Sequence, residues 1–121
     1  MRKGYKAIYR IDDDIFAEGS IFMYDDKTIE GKFALDYMYI YEYGNNSFCF
    51  LKALSFFKQG PLIMQEVKNY EFYASKQTFS SPGKYFFFNK SDKVLSLEIK
   101  EEITDPEDIN ILLMDIEKIR A

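Results

Sequence analysis

The chain has 121 residues, a formal net charge of −4 and no histidine. That length suits one domain over residues 1–121, with a core able to dispense with metals and disulfides, and the acid excess speaks against a nucleic-acid partner held by phosphate contacts. Lack of histidine removes the usual neutral-pH general base and the commonest zinc ligand, while a single cysteine, Cys49, excludes an internal disulfide or a cysteine-rich metal site.

Tyr5–Ile11 alternates weakly and predicts a strand, closed by a turn at Asp12-Asp13-Asp14. Ile15–Tyr24 predicts a second β segment, with Gly19 marking a bulge or tight turn. Asp25-Asp26-Lys27 reads as a hairpin turn into Thr28–Leu35, which places Ile29, Phe33 and Leu35 on one face and Thr28, Glu30 and Lys32 on the other. Next, Tyr37, Tyr39, Tyr41 and Tyr43 occupy every second position, so a strand here puts four phenol rings on one side. Gly44-Asn45-Asn46 ends it.

The middle of the chain is mostly apolar, with Lys52, Ser55 and Lys58 drawing a polar stripe at helical spacing before Gly60-Pro61. A second helix near residues 48–58 is expected, followed by a β segment around 65–75 whose aromatic run favours a strand. Lys76–Lys84 reads as a loop. Tyr85–Phe88 and Lys93–Lys100 form a hairpin, with Leu95, Leu97 and Ile99 inward. At the C-terminus Thr104 and Glu107 have capping-box spacing and Pro106 suits the first turn. Ile109, Leu112, Leu113, Ile116 and Ile119 make one apolar helical face, with Met114 on the opposite side. The fold class is therefore α+β: mainly an antiparallel β-sheet packed by a C-terminal α-helix that supplies a large share of the core.

No run of residues carries a reaction. Gly residues occur singly, so no phosphate-cradling loop is present, and Ser80-Ser81-Pro82-Gly83-Lys84 reads as a turn. The aspartates lack the alternating ligands of a calcium loop, and neither a metal nor a cofactor is expected. Cys49, between Phe48 and Phe50, reads as a buried, inert thiol. The chain is expected to be non-catalytic and cytoplasmic, since no apolar stretch nears the ~20 residues of a membrane helix and no signal core follows the basic N-terminus. Lysine outnumbers arginine 13 to 3 and aromatics reach 18%, a bias fitting an AT-rich bacterial or phage gene.

These features favour a small protein-binding module, an inhibitor or immunity-type protein that occludes its partner. The candidate binding residues are Tyr37, Tyr39, Tyr41 and Tyr43, which suit an interface core, and Asp12, Asp13 and Asp14, which would steer a basic protein. An aromatic sheet face also admits a homodimer. The alternative is a small-ligand-binding module, with the tyrosines lining a pocket under a curved sheet.

Overall fold

The computed structural model describes residues 2–13, 15–34, 36–53, 69–79 and 82–120. Eight strands follow one another: β1 (Arg2–Ile11), β2 (Ile15–Tyr24), β3 (Ile29–Phe33), β4 (Asp36–Tyr43), β5 (Asn46–Ala53), β6 (Asn69–Ser75), β7 (Gly83–Phe88) and β8 (Val94–Glu102). A helix, α1 (Pro106–Arg120), comes last. Every strand pairs antiparallel with the next, and β8 returns to pair with β1, closing a barrel. The expected antiparallel sheet with a C-terminal helix is thus present, in a closed form that local patterning does not specify. Among the described residues no helix is long and apolar enough to cross a membrane.

Alternation along each strand fills the barrel. Ile29 and Phe33 on β3, Met38 and Ile40 on β4, and Leu95 and Leu97 on β8 are wholly buried and belong to one cluster. An eight-stranded barrel is just wide enough for such side chains to occupy its interior. Gly19 is not a bulge: the ladder runs through it unbroken, opposite Ala7 on β1 and Phe33 on β3. A Cβ there would lie 2.2 Å from the Lys32 carbonyl oxygen and 2.6 Å from the Phe33 Cα, so the residue is glycine because two backbones meet. The irregularity lies instead on β1, between Tyr5 and Ala7, where its register with β8 shifts.

Three turns carry residue types suited to their geometry, whereas Lys27 at φ 68° and Ala34 at φ 47° hold the left-handed region without such a preference. Asp12 and Asp13 hold φ of 53° and 64°, a region open to short polar side chains. Asp12 also ties its hairpin to β8: its N–H donates to the Val94 carbonyl, and its Oδ1 accepts from the Val94 N–H, both at 2.9 Å. Gly44, at φ 63°, is the first central residue of the two-residue β4–β5 loop, where a type II′ turn calls for glycine. Asn89 Oδ1 accepts from the N–H groups of Ser91 and Lys93 and so shapes the β7–β8 turn.

The expected helix near residues 48–58 is corrected over its described part. Residues 48–53 continue β5, paired with β4 on one edge and, through Lys52, with β6 on the other; 54–58 lie outside the described residues. Backbone pairing on both edges outweighs the helical stripe, since Cys49 and Leu51 then enter the barrel. Of the β segment expected at 65–75, residues 69–75 form β6 and the rest lie outside the described residues.

The helix packs on the outside of the barrel, which corrects the expectation that it supplies a large share of the core. Leu112 and Ile116 bury against Phe22 of β2 in a small second cluster, joined by Tyr24, Ile109 and Leu113. Gly4 allows this approach, because a Cβ there would stand 2.7 Å from the Ile109 Cδ1. The cap is Asp105, not Thr104: Asp105 Oδ1 accepts from the Glu107 N–H at 2.9 Å, placing Pro106 at the first helical position. Met114 is 57% exposed, on the side away from the barrel.

Candidate functional site: an outward aromatic face

On β4, Met38 and Ile40 point into the barrel, so the alternate residues Tyr37, Tyr39, Tyr41 and Tyr43 point out. The same parity holds on β5, where Cys49 and Leu51 are inward and Phe48 and Phe50 outward, and on β6 and β7, where Tyr73, Phe86 and Phe88 face out. Register then joins these rings across four strands. Tyr39 lies opposite Phe50, Tyr41 opposite Phe48, Phe48 opposite Tyr73, and Tyr73 opposite Phe88. Tyr41 stacks on Tyr39 with centroids 5.6 Å apart and on Phe48 at 5.5 Å, the planes within 22°. Tyr73, Phe86 and Phe88 are nearly half exposed, and Tyr43 more so. The Lys84 Nζ lies 5.9 Å from the Phe86 ring centroid.

At one border of this face lies a built polar centre. Glu30 points outward from β3 yet is only 3% exposed. Its Oε1 accepts the Tyr24 hydroxyl at 3.0 Å, and its Oε2 accepts the Tyr37 hydroxyl at 2.6 Å. Burial pushes the Tyr37 phenol up to about 12, with the neighbouring Tyr39 and Tyr24 phenols adding to the effect. Tyr37 therefore remains a donor through the physiological range. Above Glu30 opens a depression of about 450 Å³ lined by Tyr24, Asp26, Thr28, Glu30, Tyr37 and Tyr39. Asp26 is fixed at its rim, its Oδ1 accepting from the Thr28 N–H at 3.0 Å and the Thr28 hydroxyl at 2.6 Å. The Thr28 hydroxyl bond, then its N–H bond, holds the Asp26 carboxyl below its ordinary value.

Tyr9, edge-on to Phe33 at 5.0 Å, donates its hydroxyl to Asp36 Oδ2. Burial raises the Asp36 carboxyl, although the Tyr9 bond and the charge of Lys32 oppose the shift. Cys49 is buried in the interior cluster, and burial pushes its thiol up. At the opposite end Glu42 pairs with Lys76 at 3.6 Å. Phe79, from the segment after β6, covers Tyr85 and Phe87, with ring centroids 4.9 and 6.2 Å away.

The two sets of candidate residues do not come together. The tyrosine row lies on the outward face of β4, whereas Asp12 and Asp13 sit in the β1–β2 turn and Asp12 is committed to β8; Asp14 lies outside the described residues. The sequence reading missed the rings that extend the row: Phe48, Phe50, Tyr73, Phe86 and Phe88. Their signal was the period of two in Phe48/Phe50 and Phe86/Phe88, legible once strands are assigned there. Glu30 was placed on the polar side of β3 without any sign that two phenols would bury it. No protein-family model, curated protein or solved structure matches this chain.

Proposed function

We propose that this chain is a non-catalytic protein-binding module and that the aromatic face of β4–β7 is its docking surface. The carrying observation is the continuity of the face: outward rings on four adjacent strands, several about half exposed, on a barrel whose described inward side chains pack into one apolar cluster. Contiguous exposed apolar patches on small domains mark interaction sites, and tyrosine and phenylalanine are enriched in interface cores. With the tyrosines outside the barrel they do not line an interior pocket, so the protein-binding reading fits this geometry better than a ligand held under the sheet. Occlusion of a partner, as by an inhibitor or immunity-type protein, needs only such a surface and a charge of suitable sign.

The test uses the full chain as bait in extract of its native cell, beside a Tyr73→Ser/Phe86→Ser/Phe88→Ser variant whose fold is checked by circular dichroism. A protein enriched by the wild type and lost with the variant supports the reading. Light scattering on both proteins shows whether that partner is a second copy. Equal enrichment by the two baits, or none with either and no self-association, overturns it.

A further inference from the structure

We propose that the depression over Glu30 is a cation pocket, taking the charged head of a lysine or arginine side chain presented by the protein partner. This deepens the protein-binding reading and rests on it. The depression is lined by Tyr24, Tyr37 and Tyr39 together with Glu30, Asp26 and Thr28. Phenol rings offer a negative face to a cation, and the attraction grows when the site is partly desolvated. Glu30 lines it with both oxygens accepting phenol hydroxyls, Oε1 from Tyr24 and Oε2 from Tyr37, which holds the carboxyl group in place.

Four further pockets of about 130 to 490 Å³ each include at least one lysine: Lys6 and Lys32, Lys6 and Lys100, Lys90, and Lys3. The Glu30 pocket has two carboxylates, three tyrosines and a threonine, and no lysine or arginine among its described lining residues. Lys32 and Lys52 lie in register with Tyr37 but do not line the pocket, and the Lys32 ammonium donates to the Ala34 carbonyl. The site therefore brings two acidic side chains together with three tyrosines, residue types that suit an organic cation. It also adjoins the docking face, because Tyr39, one of its lining residues, stacks on Tyr41. A partner seated on the aromatic rings could thus insert a basic side chain at the border, where charge complementarity sets orientation and arrival rate.

The wild-type chain, with tyrosine rings labelled for NMR, is titrated at constant ionic strength with tetramethylammonium, Nα-acetyl-lysine N-methylamide and Nα-acetyl-arginine N-methylamide. The uncharged isostere 3,3-dimethylbutan-1-ol is the control. Expected are saturable shifts at Tyr24, Tyr37 and Tyr39 with at least one amino-acid cation, none with the alcohol, and none at Tyr85 inside the barrel. Glu30→Gln should weaken binding about tenfold or more. Tyr39→Leu should do likewise; it removes a lining ring and leaves both Glu30 hydrogen bonds in place, so it decides the matter if Glu30→Gln fails to fold. No saturable shift up to about 100 mM probe, equal binding of the alcohol, or indifference to Tyr39→Leu overturns the pocket. Partner capture that depends on Tyr73, Phe86 and Phe88 without cation binding sinks the pocket alone. Cation binding with capture indifferent to those three sinks the docking face alone.

Discussion

Replacing Leu112 by alanine tests whether α1 docks on the barrel as described. Leu112 is 4% exposed and packs with Ile116 against Phe22, whereas Met114, two residues along, is 57% exposed. Truncating a buried leucine costs about 2–5 kcal/mol, and an exposed side chain about 0.5 kcal/mol or less. Leucine and methionine have nearly equal helix propensities and both become alanine, so the backbone contribution cancels between the two variants. With a urea dependence of about 1.5 kcal/mol per molar for a domain of this size, a loss of about 3 kcal/mol moves the midpoint down by about 2 M. Met114→Ala should move it by less than about 0.5 M on the same basis. Phe22→Ala approaches the contact from the barrel side. In a double-mutant cycle it should couple to Leu112→Ala by about 0.5–3 kcal/mol. Equal midpoints for Leu112→Ala and Met114→Ala, or strict additivity with Phe22→Ala, would refute this docking.

Gly19→Ala should abolish soluble folded protein, because its Cβ would meet the Lys32 carbonyl at 2.2 Å and backbone cannot yield as a side chain does; Gly4→Ala, whose Cβ meets the flexible Ile109 tip at 2.7 Å, should fold with a lowered melting temperature. Alkaline titration followed by tyrosine absorbance should show Tyr37 ionising near 12 and Tyr9, raised further by burial and then by its bond to Asp36, remaining protonated until unfolding. Both folded values exceed the unfolded value of 10.0, so the stability these phenols contribute is complete below about pH 10 and is lost as pH rises through the folded values. A guanidinium series from pH 9 to 12 checks that sign. Cys49 should resist an aromatic disulfide reagent in the native protein and react fully in denaturant, since burial disfavours the thiolate; rapid native labelling would mean that the interior opens.

Much of the local structure was legible because it depends on neighbours in the chain. The period of two in Tyr37–Tyr43 and in Leu95–Ile99 identified strands β4 and β8, and the helical spacing of Ile109, Leu112 and Ile116 identified both α1 and the face it buries. Glycine and aspartate at 12–13, 25–26 and 44 announced turns; at 12, 13 and 44 the backbone holds the left-handed region, while in the 25–27 turn Lys27 holds it. Where two local signals competed, reading failed: the stripe through Lys52 suggested a helix, and only the ladders to β4 and β6 made residues 48–53 a strand. Likewise, Gly19 as an obligatory close approach was invisible, since the atoms it spares belong to Lys32 and Phe33 on another strand.

Alternation alone determined that four tyrosines share one side of a strand, but not which side meets water. That was decided by closure of the barrel through β1 and β8, which turned Met38 and Ile40 inward because a closed sheet has a single apolar interior to fill. Pairing between neighbouring strands aligned Phe48, Phe50, Tyr73, Phe86 and Phe88 into one surface and brought Tyr24 and Tyr37, 13 residues apart in the chain, onto the two oxygens of Glu30. Strand identity and helix face follow from short-range periodicity that the sequence carries by itself. The aromatic face and its acidic pocket arise from register between strands, a cooperative property of the packed barrel that no single segment encodes.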